Sequence, residues 1–463
     1  MGIYRGYWSQ LNQIKRHYIR SLIRDNKMTN PSPPTLQPVE NTKRINSLDI
    51  IRGIALLGIL LMNIVGFGLA SSYNDPTISG GATGWNLKVW IINNMLFEGT
   101  MRGLFTMLFG AGFILLTKRL ENKGGGIQVA DIFYRRTLWL LLFGIIHAYF
   151  MLWMGDVLYP YAIFGLMLFP LRNVAPKHLL IAGLVLLALG TVKDVNHYHE
   201  TFKTKTEGLV VQELVKNDAS IELNKEQKVA LSDWESLAKK RKTAAQVTEV
   251  NEGNREGYWS IVEHRLKGNQ YMQTTFVYEV WVYDILSLML IGIAFFKWRI
   301  FQGERSNKFY GILLLLGYGI GLTVNYFETE MLIESNFEVV SKSKSHITNQ
   351  LGRFFTTIGH IGLFMLFIKS GILKFLQDAL AAVGRMALTN YLMHTLICTT
   401  FFLGFGFGMF GKLQRYELYY LVFAIWIFQL IYSPIWLKYF KYGPVEWLWR
   451  SLTYMKKQPF RNK

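Results

Sequence analysis

Cysteine is almost absent from this chain. Cys398 is the only one, which excludes an intramolecular disulfide framework. No Cys/His cluster has zinc spacing, and no helical His-Glu-x-x-His or Gly-x-x-x-x-Gly-Lys loop occurs. The common structural-zinc, zinc-hydrolase and phosphate-loop readings therefore have no footing. Acids are scarce: 31 Asp and Glu face 50 Lys and Arg, for a formal charge of +19. Such an excess suggests nucleic acid, but the bases are not gathered into one patch. Arg44, Arg119, Arg136, Arg172, Lys297, Arg305, Lys441 and Lys456 stand beside the ends of apolar stretches instead, which argues for no nucleic-acid partner. A secretory signal is also missing. Arg5, Lys15, Arg16, Arg20 and Arg24 interrupt the first residues, leaving no apolar core of the required length.

What the chain does have is apolar stretches of membrane-spanning size, about ten of them. They are Leu48–Leu69, Gly103–Thr117, Thr137–Trp153, Val157–Leu171, Leu179–Val192, Phe276–Phe296, Phe309–Phe327, Leu351–Ile368, Ala379–Phe402 and Leu418–Leu437. Roughly 20 apolar residues in a helix cross a bilayer core. Backbone polar groups cannot go unpaired in lipid, so these runs mean helices. The expected fold class is all-α: a polytopic membrane protein of about ten spans with a polar helical extracytoplasmic insertion. Basic loops stay on the cytoplasmic side. On that count both termini lie inside, in a bacterial cytoplasmic membrane, and the inner face attracts anionic lipid headgroups.

The expected organisation has five parts. Residues 1–41 are a basic tail with a Pro-rich linker at Pro31, Pro33, Pro34 and Pro38. Either Leu11, Ile14, Tyr18 and Leu22 form one face of an interfacial helix, or translation starts at Met28. Residues 42–192 hold spans one to five, 193–275 the insertion, 276–457 spans six to ten, and 458–463 a cytoplasmic tail. The insertion is a small cap, a partly ordered flap or a loop insertion without catalytic content.

Ionisable groups within spans are costly and therefore informative. By depth, Asn63, Glu98, Arg102, His147 and Asp156 all fall in the outer half of the bilayer, where they would share one water-accessible cavity. A neutral His147 would act as general base with Asp156 orienting it. Asn63 and Arg102 would stabilise an oxyanion, and Glu98 would help bind substrate. The competing reading makes His147 and Asn63 interhelical hydrogen-bonders and leaves the charged groups at the outer interface. His394, near mid-depth, is a second-rank site residue. At the inner mouth Asp49 and Arg52 can pair at i and i+3. Arg52, with Arg385 also on the inner side, either binds a donor phosphate or anchors its helix. Glu446 and Arg450, at i and i+4, read as a structural clasp. No metal site is expected.

Three stretches carry a family resemblance: Arg44-Ile45-Asn46-Ser47-Leu48-Asp49-Ile50-Ile51-Arg52-Gly53, Gly384-Arg385-Met386-Ala387-Leu388-Thr389-Asn390-Tyr391, and Tyr442-Gly443-Pro444-Val445-Glu446-Trp447-Leu448-Trp449-Arg450. Together they resemble the YeiB-like family of bacterial integral membrane proteins, known as domain of unknown function 418. That family is similar to transmembrane acyltransferases, which share the Leu-Asp-x-x-Arg-Gly opening. The resemblance implies acyl transfer from cytosolic acyl-CoA, a co-substrate and not a bound cofactor. The acceptor would be an extracytoplasmic glycan, lipid-linked group or small molecule. Asn63 falls where those enzymes carry a functional Asn, but no His follows it before the second span. Either His147 replaces that His or this branch lost the activity. The alternatives are a solute transporter and a non-catalytic scaffold, with a homo-oligomer compatible with each.

Overall fold

A computed structural model describes residues 44–70, 73 and 75–462. The expected tail over residues 1–41 lies outside them. The regular elements of the described residues are all helices, with one isolated antiparallel bridge between Phe440 and Arg461. In chain order the α-helices are α1 (Asn46–Gly68), α2 (Gly84–Ile92), α3 (Thr100–Glu121), α4 (Gln128–Tyr149), α5 (Leu158–Leu166) and α6 (Pro176–Asn217). Then come α7 (Lys225–Ala238), α8 (Ala244–Gly253), α9 (Tyr258–Tyr271), α10 (Ser287–Lys297), α11 (Asn307–Glu334) and α12 (Val339–Ser370). Last are α13 (Lys374–Arg385), α14 (Ala387–Phe402), α15 (Leu418–Tyr439) and α16 (Pro444–Thr453). A π-helical turn, Asn93–Phe97, joins α2 to α3, and a longer π-helical segment, Met272–Leu286, joins α9 to α10.

Seven helical runs among the described residues are long and apolar enough to cross a membrane. The sequence count of about ten is higher because three of its stretches are not single long apolar helices. The third is α4, which opens with Asp131, Arg135 and Arg136. The fourth splits into the nine-residue α5 and a 3-10 turn. The ninth breaks at Met386 into α13 and α14. Three of the long helices present apolar residues outward. Ile181, Val185 and Leu189 on α6, Leu315 and Leu316 on α11, and Tyr420, Ile427 and Ile431 on α15 are all exposed. Water would not tolerate so large an apolar surface, whereas lipid would. The chain is a helical membrane protein.

Inside that shell α1, α3, α10 and α12 bury the main core, including Ile50, Leu56, Leu104, Met107, Met289, Ile293 and Ile361. Glycine lets α1 and α13 touch. A Cβ on Gly384 would enter the Asp49 carbonyl, and one on Gly53 would enter the Leu380 carbonyl. Small residues at a crossing allow backbones this close. The contact ties the start of α1 to the break at Met386, and a cavity opens there.

The polar middle of the chain is helical. Helix α6 runs 42 residues without interruption, passing from apolar to polar composition. Asn224 with Gln227 and Thr243 with Gln246 form capping boxes that start α7 and α8. Helix α9 then packs against the end of α4. The Tyr258 hydroxyl donates to the Phe150 carbonyl, Asn269 Nδ2 to Ala148, and Arg265 Nη1 to Leu152. This segment covers the end of the bundle nearest His147.

Candidate functional site: an arginine-rimmed cavity and a buried Asp-His-Thr array

A cavity of about 270 Å3 lies between α1, α3, α4, α14 and α16. Its lining on α3 recurs at helical spacing: Phe105, Leu108, Phe109, Gly112, Leu116 and Arg119. Arg119 to Phe105 is about 21 Å of helix at 1.5 Å per residue. The two ends differ in chemistry. Arg44, Arg52, Arg119, Arg136, Arg385 and Arg450 line the mouth with only Asp49 and Glu446 as carboxylates. Phe105, Phe109, Leu158, Tyr161 and Tyr391 line the far end.

The acids at the mouth are engaged. Asp49 accepts from Arg52 at 3.0 Å and lies 3.4 Å from Arg44. Glu446 reaches from α16 to the broken start of α14. It accepts the Leu388 N–H at 2.7 Å, the Thr389 N–H at 3.1 Å and the Thr389 hydroxyl. It therefore supplies the N-terminal cap that Met386 lacks, with its charge at the positive end of the helix dipole. Burial raises the Glu446 pKa, while these donors pull it down. Burial, then the charge of Arg44, lowers the Arg450 pKa. Arginine remains protonated at neutral pH all the same.

The far end adjoins the second feature. His147 is fully buried, with Nδ1 2.7 Å from Asp156 Oδ1 and Nε2 2.7 Å from the Thr395 hydroxyl. Asp156 also accepts the N–H groups of Leu158 at 3.0 Å and Tyr159 at 2.8 Å, which starts α5. Gly144 allows this approach, since a Cβ there would strike Tyr159 and Asp156. An ionised Asp156 fixes Nδ1–H as a donor, so a neutral imidazole accepts the Thr395 hydroxyl at Nε2. Tyr391, one turn before Thr395 on α14, links the two features. It lines the cavity, and its ring centroid lies 5.0 Å from that of His147. Its hydroxyl makes no hydrogen bond of good geometry, with Trp153 and Val157 as its polar neighbours.

The chain belongs to the DUF418 family. The family model described as "Protein of unknown function (DUF418)" matches residues 295–456. The uncharacterized protein YxaH of Bacillus subtilis (strain 168) is 31% identical over 445 residues, covering 93% of this chain and 99% of the relative. The uncharacterized protein YeiB of Escherichia coli (strain K12) is 31% identical over 427 residues, covering 88% and 95%. An uncharacterized 39.9 kDa protein in the amylase 3' region of Bacillus acidopullulyticus is 25% identical over 438 residues, covering 92% and 98%. No solved structure matches.

In this DUF418 protein the residues singled out in the sequence fall into separate places. His147 and Asp156 meet. Arg102 does not join them: it forms a salt bridge with Asp284 of the π-helical segment, beside Trp281. Glu98 pairs with Arg353 at 2.8 Å. Asn63, half-buried on α1, hydrogen-bonds none of these among the described residues. One acid and one base remote in sequence hold Arg102 and Glu98, and none of the five lines the cavity described above. His394 is buried and bonds Gln429 at 2.9 Å, joining α14 to α15 away from the cavity. Asp49, Arg52 and Arg385 do line the cavity. Arg119 and Arg136 look like ordinary helix-flanking bases in the sequence. Thr395 and Tyr391 are missed because neither is charged, although their i, i+4 spacing beside His394 was available. Among the described residues no group of three or more His, Cys, Asp or Glu could hold a metal ion.

Proposed function

We propose that the chain is a membrane-embedded acyltransferase. It takes an acyl group from acyl-CoA at the arginine-rimmed mouth and passes it to a hydroxyl or amine arriving from the opposite side. The observation that carries this reading is the Tyr391 contact, which brings the apolar end of the cavity against His147. The donor phosphates sit among the arginines, and the acyl thioester extends to the aromatic end. By the positive-inside rule the arginine end faces the cytosol of a bacterial plasma membrane. His147 takes the acceptor proton through the Thr395 hydroxyl, and Asp156 stabilises the resulting imidazolium. The acceptor oxygen or nitrogen bonds to the thioester carbon, the C–S bond breaks, and the thiolate leaves with the proton from His147. The Tyr391 hydroxyl donates to the oxyanion. Tyr391 stands between the cavity and the array.

The test is acetyl-CoA binding and turnover by purified protein in lipid nanodiscs, beside His147→Ala and Thr395→Val. Binding by all three with thioester loss only in the wild type is the expected result. Binding without thioester loss in the wild type, with candidate acceptors supplied, overturns the transferase reading and favours transport.

A further inference from the structure

The mouth of the cavity holds more positive charge than its own carboxylates neutralise. Asp49 serves Arg44 and Arg52, and Glu446 is occupied by the start of α14. Among the described residues, Arg136 and Arg450 form no salt bridge. Each instead lies on an aromatic face. The Arg136 guanidinium is 3.6 Å from the Trp449 ring centroid, and that of Arg450 is 4.6 Å from the Tyr442 ring centroid. The Trp449 indole N–H also donates to the Arg136 carbonyl at 2.8 Å. Both guanidiniums line the same end of the cavity.

We infer that Arg136 and Arg450 form a clamp for a phosphate-bearing head group, a phosphate monoester or diphosphate carried on an apolar chain. The inference rests on the donor reading for the choice of cavity and is independent of the transfer step. A guanidinium stacked on a ring keeps its N–H edge free for a bidentate oxyanion, and the stacking fixes the plane beforehand. Two such groups at one cavity end, with Glu446 as the one carboxylate acting on both, leave an excess of positive charge that a multiply charged anion between them relieves. Phe105, Phe109, Leu158 and Tyr161 beyond them suit an apolar tail. The volume, about 270 Å3, is at the small end of ligand pockets. It takes a head group and part of a chain, and leaves any nucleoside outside. Helix α16 supplies Trp449 and Arg450, so the Glu446 cap holds half of the clamp in place.

The experiment uses the full chain in nanodiscs of zwitterionic lipid. Three probes are titrated separately: inorganic pyrophosphate, CoA without an acyl group, and farnesyl diphosphate. Binding is read by calorimetry and by the thermal midpoint. Pyrophosphate is expected to bind and raise the midpoint. Arg136→Gln and Arg450→Gln are each expected to weaken it by about tenfold or more, the scale of one charge-assisted hydrogen bond. Arg135→Gln is expected to bind as the wild type does, because Arg135 pairs with Asp131 and does not line the cavity. CoA binding without farnesyl diphosphate binding assigns a soluble thioester source. The reverse assigns a lipid phosphate, and binding of both establishes the shared head group. No binding of any probe to folded protein overturns the inference, as does wild-type affinity in both Gln variants. Should those variants fail to fold, Arg136→Lys and Arg450→Lys keep the charge and lose the fork. Weakened pyrophosphate binding is expected of them, and wild-type affinity in both overturns the clamp. Retained pyrophosphate binding in a wild-type protein without acyl-CoA turnover refutes the transferase reading alone.

Discussion

Replacing Thr395 with Val removes one hydroxyl at nearly constant shape. That hydroxyl has one side-chain partner, His147 Nε2 at 2.7 Å. The loss is therefore one interhelical hydrogen bond between α4 and α14, with a buried ring nitrogen left unpaired. In membrane bundles such bonds average about 0.6 kcal/mol and reach about 1.7, because helices in the unfolded reference state find other partners. Stranding the nitrogen moves the expectation toward the upper figure, since an unsatisfied buried group costs about 1–3 kcal/mol in general. The expected destabilisation is thus about 1–2 kcal/mol. SDS-driven unfolding in mixed micelles measures it directly. Thr395→Ser keeps the hydroxyl and should stay near the wild type. Turnover discriminates further: a proton relay lost at this position lowers the rate by about 10²–10⁴-fold, whereas a purely structural bond does not. A Val variant as stable as the wild type would refute the Thr395–His147 bond. Full turnover in it would refute the relay.

Asp156→Ala should cost more, about 3–5 kcal/mol, because it strands His147 and two α5 N–H groups together. The same unfolding titration checks it. Arg102→Leu and Asp284→Leu should each destabilise by about 3–5 kcal/mol, while the double variant recovers most of the loss. Additive single effects in the double-mutant cycle would exclude that pairing. Glu446 gives a pH prediction. Its pKa in the fold lies above the free value of 4.5. Its contribution is therefore present below that value and lost as pH rises through the folded one. Glu446→Gln should flatten the pH dependence of stability in this range, read from thermal midpoints at a series of pH values.

The helical membrane class was legible because it depends on runs of residue type, which a sequence displays directly. The count of spans was less so. Nothing in Ala379–Phe402 announces the break at Met386, because the cap that permits it comes from Glu446, more than fifty residues away. Likewise the His147–Asp156 pair follows from nine residues of local chain and was visible. The partners of Arg102 and Glu98 come from Asp284 and Arg353, on segments remote in sequence. Depth along a helix placed these groups at similar heights, but height carries no information about azimuth. The arginine mouth was read only in part for the same reason. Arg119 and Arg136 have the position of any helix-flanking base, and only packing turns them toward Arg52 and Arg385.

Helix α9 supplies hydrogen-bond donors to the carbonyls of Ala148, Phe150 and Leu152, the last turn of α4 and its continuation. The polar middle of the chain is thus held at two places. Residues 218–243, with α7 and its flanking turns, lie against α6, where Trp234 packs on Gly208, and Arg241 ties them back to Asp75 and Thr77. Residues 254–271 are a stopper seated on the bundle, and exchanging them for a relative's loop would open those carbonyls to solvent beside His147.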